Sequence, residues 1–244
     1  SIHSVLIRGT DGATTGWSES SPLERPMYLT EGAGTAYRNI VQFFGPQLLG
    51  KEIESPQALN ESLAAYKGNQ FAKASLEILW WTLQSKKSGE PLHRLLGGKT
   101  REVAAGADFG IQDSFDMLLG HVQEAVDRGF PRVKLKFARG WDVDMVSAVR
   151  GAFPDLRIHI DCNSGFELEA LEMFKKLDRF RLEFIEQPLG HDDLLDHAEL
   201  AKAIDTPICL DESITGQRKV EQALRIGACR FVNIKPGRVG GLAN

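Results

Sequence analysis

The chain has 244 residues, 42% hydrophobic and 25% charged, a balance that supports a folded core and excludes disordered and collagen-like classes. No apolar run reaches the roughly 18 residues of a membrane span, and the first thirty residues, with Arg8, Asp11 and Glu19 among them, hold no signal-peptide core. The expectation is a cytoplasmic protein with no membrane partner, and a formal net charge of −4 lacks the basic face of nucleic-acid binders, leaving a small molecule as the expected partner.

Two β-prone stretches, around Val5 to Ile7 and Thr14 to Trp17, flank Asp11-Gly12, a hairpin signal. Three helices are predicted next. Residues 35–49 place apolar side chains at Ala36, Ile40, Phe43 and Phe44, and 55–66 opens with Ser55 as N-cap and Pro56 at the first helical position. Residues 71–85 set Phe71, Ala74, Ile78 and Trp81 on one stripe, with Gly89 placed to stop the helix and Trp80 and Trp81 read as core. Leu95-Leu96-Gly97-Gly98 marks a boundary, dividing the chain into an α+β domain over 1–98 and a second domain over 99–244.

Beyond Val103 short apolar or β-branched runs alternate with amphipathic stretches, the signature of βα units around a parallel sheet. Strands are predicted at 104–111, 132–137, 157–161, 182–186, 207–211 and 231–235, and helices at 115–128, 142–152, 167–177, 193–204 and 217–226. Gly237 to Gly241 is read as a tight turn that lets backbone approach a substrate, since it lacks the dinucleotide fingerprint and a P-loop Lys-Ser pair. Cys162, Cys209 and Cys229, odd in number and set beside apolar residues, fit buried thiols in a reducing compartment.

The strand ends carry the chemistry. Lys136, Asp161, Glu186, Asp211 and Lys235 follow one another at spacings of 25, 25, 25 and 24 residues, one per βα unit. By strand alternation Val133, Leu135, Ile158, Ile160, Ile208 and Leu210 take the face opposite these polar residues, so the carboxylates and lysines point inward at the carboxyl ends of a TIM-type (β/α) barrel. Three converging carboxylates repel one another unless a cation lies among them. Asp161, Glu186 and Asp211 are therefore read as oxygen ligands of Mg²⁺ or Mn²⁺, against the alternative of helix caps or solvated acids. Lys136 and Lys235, on opposite flanks of such a metal, would have their pKa values lowered towards those of general bases, and Lys134 adds a third positive charge. The chemistry implied is proton abstraction next to a carboxylate; a Schiff-base lysine is the competing possibility. His159 shares the parity of Asp161 and is read as core packing or a tuned hydrogen bond, and His3, His93, His121, His191 and His197 as surface or helix-end residues.

The motifs Lys134-Leu-Lys136, Asp161-Cys-Asn163, Glu186-Gln-Pro188, Asp211-Glu-Ser213 and the run Asn233-Ile-Lys235-Pro-Gly-Arg238-Val-Gly-Gly241 together resemble the enolase superfamily. Within it they resemble the muconate-lactonizing subgroup and its o-succinylbenzoate synthases and N-acylamino acid racemases. The resemblance implies a barrel with an N-terminal α+β capping domain, Mg²⁺ on Asp161, Glu186 and Asp211, and Lys136 as the base. Lys134 would help position the substrate carboxylate; apart from the resemblance, Asn163, on the same side as Asp161, could contact a metal-bound water or a ligand carboxylate or simply support the ligands from behind, and Gly237 lies in the turn read as approaching the substrate. Lys235 would act as a cation stabilising the enediolate in the synthase reaction, or as the opposite-face acid or base in racemisation. It further implies a longer product, with a first capping strand, a substrate-covering loop and two last barrel strands outside this sequence, which stops after the sixth strand. An open barrel of that kind would expose strand edges. A homo-oligomer is compatible with all of this. Ser18 and Cys162 stand where the family usually has Gly and Ala.

Overall fold

Alternating side chains and the turn at Gly12 bring β1 (Val5–Asp11) and β2 (Thr14–Ser20) together as an antiparallel hairpin, paired from Val5↔Ser20 to Asp11↔Thr14. The structure, a computed structural model, describes residues 3–100 and 102–244. The chain separates into two compact units: the N-terminal region up to the break at 101 with Thr215–Gln217 and Ile234–Asn244, and Glu102–Ile214 with Arg218–Asn233.

In the first unit the helix expected over 35–49 is three segments: α1 (Ala33–Asn39), a π-helical stretch Ile40–Phe44 and α2 (Gly45–Leu48). Pro46 has no N–H to continue the ladder, and Gly45 N–H reaches back five residues to the Ile40 carbonyl, so the helix widens before the proline. In α3 (Pro56–Ser62) the predicted cap holds, with Ser55 Oγ accepting Ala58 N–H at 3.1 Å, but the helix ends at Ser62, short of Tyr66. The long α4 (Gln70–Ser88) stops at Gly89, and α5 (Leu92–Leu95) falls where only a boundary was expected. Ala36, Ile40, Phe44, Leu59, Leu63, Ala72 and Leu76 form the core, with Trp80 packed against it and its Nε1–H donating to the Ile53 carbonyl at 2.9 Å. The hairpin lies close on α4 because Gly9 and Gly16, a cross-strand pair, have no side chains. A Cβ at Gly9 would come within 2.7 Å of Leu79 Cδ2, and one at Gly16 within 3.0 Å of Leu83 Cγ.

The second unit is one parallel sheet ordered β3 (Ala107–Phe109), β4 (Arg132–Lys136), β5 (Arg157–Asp161), β6 (Ile185–Glu186), β7 (Ile208–Leu210) and β8 (Phe231–Val232). The connecting helices are α6 (Phe115–Asp127), α7 (Val143–Ala152), α8 (Leu171–Lys175), α9 (Leu194–Ala203) and α10 (Gln217–Ile226). Six parallel strands in chain order, each followed by helix, are the architecture of a (β/α)₈-type barrel carried through its sixth strand. Ser114 Oγ, Asp142 Oδ1 and Asp193 Oδ1 accept backbone N–H groups at the starts of α6, α7 and α9. The helix expected over 167–177 is broken into a 3₁₀ turn, Leu168–Ala170, followed by α8. Alternation holds: Val133, Leu135, Ile158 and Ile160 are fully buried, whereas Lys134 and Lys136 are half-buried on the other face. Cys162, Cys209 and Cys229 are buried free thiols. Among the described residues no helix is long and apolar enough to cross a membrane.

The predicted glycine-rich turn is instead a short helix, α11 (Pro236–Val239), with Pro236 in its first turn and Gly240 left-handed at its end. It belongs to the first unit and packs on α4, where a Cβ at Gly237 would lie 2.6 Å from Phe71 Cε1. Beyond it the fully buried Glu77 of α4 accepts Leu242 N–H at 2.8 Å, Ala243 N–H at 2.9 Å and Trp81 Nε1–H at 2.9 Å. One carboxylate thus ties the last residues of the chain to α4. Replacing Glu77 by Leu strands these donors and is expected to cost about 3 kcal/mol of unfolding free energy, measured by urea denaturation; an unchanged midpoint would show that the tail is held otherwise.

Candidate active site

Lys136, Asp161 and Glu186 are the last residues of β4, β5 and β6 and lie in direct register, Lys136↔Asp161 and Asp161↔Glu186. The equal chain spacing does not continue as equal register. Glu186 pairs with Cys209, so Asp211 stands two residues farther along, on the same face but just past β7. Tilted barrel strands advance their register in this way. The last expected strand is shorter still: β8 ends at Val232, and Lys235 is the N-cap of α11 rather than a strand residue.

The carboxylates are met by lysines. Lys134 Nζ lies 2.7 Å from Asp161 Oδ2 and 3.2 Å from Glu186 Oε2. Lys136 Nζ donates to the same Asp161 Oδ2 at 2.6 Å and to Asn163 Oδ1 at 2.6 Å. Glu186 Oε1 accepts Asn233 Nδ2–H at 2.7 Å. Burial works against the Lys134 charge, but its hydrogen bond to Asp161 and the charges of Asp161 and Glu186 outweigh it and hold the ammonium above the usual lysine range. Burial likewise works against the Asp161 carboxylate, and the two lysines overcome it, so its pKa is lowered. His159 is buried beside Phe184, ring centroids 4.4 Å apart, with Nε2 3.9 Å from Glu186 Oε2. Burial first, then the charges of Arg132 and Lys134, push its pKa down to about 4, so it is neutral near pH 7.

The loops after β5 and β6 hold three non-glycine residues with left-handed backbone, Asn163 (φ 44), Ser164 (φ 60) and Gln187 (φ 39). Such conformations cost free energy and persist where surrounding bonds enforce them. Asn163 N–H donates to Asp161 Oδ1 at 3.0 Å, Ser164 N–H to the Gln187 carbonyl at 2.9 Å, and Gln187 N–H to the Cys209 carbonyl at 2.8 Å. The buried Gln187 side chain accepts Asp211 N–H at 2.9 Å and Ser213 N–H at 3.2 Å, and donates to Ser213 Oγ at 2.8 Å and the Leu189 carbonyl at 3.1 Å. Its full hydrogen-bonding capacity is spent on fixing the backbone that presents Asp211. Between those two amides Glu212 is buried, and Asn163 Nδ2–H donates to its Oε1 at 3.0 Å. Burial, aided by the charges of Asp211 and Asp161 and opposed by the Asn163 bond, raises the Glu212 pKa to about 7.

In the first unit Lys235 Nζ and Arg238 Nη1 each donate to Tyr28 Oη at 2.8 Å, and Lys235 Nζ lies 4.9 Å from the Tyr28 ring centroid. Gly237, expected at a substrate, owes its missing side chain to the close approach of Phe71. His197, expected at the surface or a helix end, is fully buried in α9: its Nε2 accepts Leu189 N–H at 3.2 Å and its Nδ1 meets the Asp193 carbonyl.

Asp161, Glu186 and Asp211 fit a hard divalent cation in donor type, and the buried Asp161 and Glu186 oxygens already hold an ammonium between them, which shows their demand for positive charge. As arranged here Asp161 and Glu186 turn to the lysines: among the described residues no three His, Cys, Asp or Glu side chains converge as a metal-binding group. Sequence inspection missed Gln187, Glu212, Asn233 and Tyr28. Asn233 had a signal, sharing the parity of Lys235. Glu212 had the wrong one, because alternation sends it away from Asp211 and only the end of β7 at Leu210 lifts that rule.

Comparison with known proteins agrees with the same motifs. The family described as enolase C-terminal domain-like matches residues 118–244. The chain is 42% identical over 237 residues to an N-succinylamino acid racemase of Thermus thermophilus, covering 97% of this chain and 64% of that protein. It is 44% identical over 239 residues to an o-succinylbenzoate synthase of Geobacillus kaustophilus, covering 98% and 64%. The crystal structure of an enolase-superfamily member from Enterococcus faecalis V583 superposes with a TM-score of 0.90 at 38% identity, over 95% of this chain and 63% of that one. The chain thus spans just under two thirds of the length of these relatives.

The lowered pKa of His159 makes stability pH-dependent. Its contribution is complete above the ordinary value of 6.5 and is lost as pH falls towards about 4, because the unfolded chain takes up the proton first. The loss amounts to about 3 kcal/mol. His159 Nδ1 has no hydrogen-bond partner to forfeit, so His159→Phe in EDTA is expected to flatten the decline in unfolding free energy across that window; an identical decline in the variant would refute the assignment.

Proposed function

Because this chain belongs to the enolase superfamily, in its muconate-lactonizing and mandelate-racemase branch, we propose that its protein abstracts the α-proton of a carboxylate substrate through an enediolate. The observation that carries this is the pair of ammonium groups, Lys134 and Lys136, both within 2.7 Å of Asp161 Oδ2 at the carboxyl ends of adjacent parallel strands. Members of the superfamily use divalent metal cofactors. Here Asp161, Glu186 and Asp211 would hold Mg²⁺ or Mn²⁺, which when bound would supply positive charge against the substrate carboxylate as its electron density rises.

Lys136, freed of its proton, is the base: it takes the hydrogen on the carbon next to the carboxylate, and the C–H electron pair passes into the enediolate. Lys134, held charged by Asp161 and Glu186, attracts the substrate carboxylate. Asn163 orients Lys136 and borders the same space. The preferred substrate is 2-succinyl-6-hydroxy-2,4-cyclohexadiene-1-carboxylate. Loss of the ring proton and of hydroxide from the neighbouring carbon, which leaves as water after taking up a proton, makes the ring aromatic and yields o-succinylbenzoate, a lyase reaction of menaquinone biosynthesis. Lys235 is assigned as the cation that stabilises the enediolate. The second reading, racemisation of an N-succinylamino acid with Lys235 as opposite-face acid, is favoured by the identity to the Thermus racemase. One protein can carry both, since both begin with the same proton.

Two experiments on the full-length protein test this. Following the ultraviolet absorbance of the cyclohexadiene with Mg²⁺ and with EDTA is expected to show metal-dependent loss. Lys136→Ala should abolish it, by about 10²-fold or more, while Mg²⁺ affinity persists; retained turnover would remove the base assignment. Glu186→Gln should weaken Mg²⁺ binding in calorimetry and reduce the rise in thermal midpoint that Mg²⁺ produces, and an unchanged affinity would sink the ligand set.

A further inference from the structure

The loop between Asp211 and Ser213 is fixed by Gln187, which binds the backbone N–H groups of both residues and leaves Glu212 out. Glu212 Oε1 accepts from the Asn163 side chain at 3.0 Å, the one backbone N–H that favours its charged form is its own, and its Oε2 is buried with no hydrogen-bond partner. A buried carboxyl satisfied on one oxygen alone costs stability. Packing therefore does not account for an acid at this position.

Its partner in the loop after β5 does. Asn163 Oδ1 accepts from Lys136 Nζ at 2.6 Å while Asn163 Nδ2 donates to Glu212. An amide has two orientations about its last bond, and the flipped one would turn NH₂ against the ammonium and oxygen against the carboxyl. The backbone cannot relieve that conflict, because Asn163 is pinned at φ 44 by its own N–H on Asp161 Oδ1 and by Ser164 N–H on the Gln187 carbonyl. Glu212 thus selects the orientation that offers an oxygen to Lys136.

We propose that Glu212 is a positioning residue for Lys136: acting through Asn163, it fixes where the lysine nitrogen stands beside Asp161. This rests on the assignment of Lys136 as the base and extends it to a side chain that touches no substrate. Without Glu212 the Asn163 amide keeps only its bond to Lys136 to set its orientation, the second anchor of Lys136 loosens, and the lysine nitrogen samples positions from which proton transfer is slow.

The test uses the full-length protein and the variants Glu212→Met, Glu212→Gln, Asn163→Ala and the Glu212→Met/Asn163→Ala double variant, with Lys136→Ala as control. In metal-free protein Glu212→Met is expected to raise the thermal midpoint, since a half-satisfied buried acid is replaced by an apolar group, and to abolish hydrogen-exchange protection of the Asn163 side-chain amide. With Mg²⁺ and 2-succinyl-6-hydroxy-2,4-cyclohexadiene-1-carboxylate, or an N-succinylamino acid where the parent turns that over, kcat should fall about 10- to 100-fold with KM nearly unchanged. Glu212→Gln, which keeps an acceptor for Asn163, should recover most of the rate, and the double variant should be no slower than Asn163→Ala. A rate in Glu212→Met equal to the parent's, with Lys136→Ala inactive, overturns the proposal and leaves the base assignment standing. So does a lowered midpoint with retained amide protection, which marks a structural role. Additive losses in the double variant overturn the path through Asn163. Turnover surviving in Lys136→Ala, or a parent inactive on both substrates, overturns the base assignment and this proposal with it.

Discussion

Negative charge buried at the carboxyl ends of neighbouring strands is the constraint on which the second unit is built. Asp161, Glu186 and Asp211 are almost wholly removed from water, and carboxylates so placed either protonate or are compensated by positive charge and hydrogen bonds. Here Lys134 and Lys136 converge on one oxygen of Asp161, Lys134 reaches on to Glu186, and Asn233 closes the other side of Glu186. The same electrostatic demand that holds these lysines would hold a divalent ion, and in the proposed scheme Lys136 moves the proton while Lys134 faces the substrate carboxylate.

Rigidity at these strand ends comes from the loops. The strands are short, β6 and β8 of two residues each, so ladder hydrogen bonds alone could not hold the side chains at their ends. Interlocking contacts take over: the Gln187 side chain spends every donor and acceptor it has on its own and the next loop, and left-handed residues at 163, 164 and 187 turn the chain sharply after Asp161 and Glu186. Strain of this kind is tolerated where surrounding bonds over-determine the backbone. The first unit solves a comparable problem with Glu77, a fully buried acid that binds the returning tail.

Synthesis and racemisation share the first proton transfer and diverge in the second step, loss of a leaving group or return of a proton from the opposite face. In the proposed scheme a site whose first half is Lys136 on Asp161 would serve either outcome, and relatives of both names stand at nearly equal identity. The cation at Lys235, paired with Arg238 on the Tyr28 hydroxyl, is the part of the chain on which that divergence depends in the proposed scheme.

Much of this was legible in the sequence, because the information is local and periodic. Strand alternation separates Lys134 and Lys136 from Val133 and Leu135, and capping chemistry marks Ser55 as a helix start whatever the rest of the chain does. The recurring spacing of about 25 residues reflects the constant length of a βα unit and identifies the acids and lysines as a set. Three things required the folded chain. The widened helix before Pro46 and the short helix after Lys235 depend on hydrogen bonds that no periodicity encodes. The offset of Asp211 arises from strand tilt, a property of the sheet and of no single strand. Gln187, Asn163 and Glu212 sit past the strand ends, where alternation stops and side-chain direction is set by partners distant in the chain. Sequence alone determined which residues carry the charge and the order of the units that hold them; tertiary structure decided which of those charges touch, because contact between side chains 25 or 49 residues apart is a property of register and loop geometry.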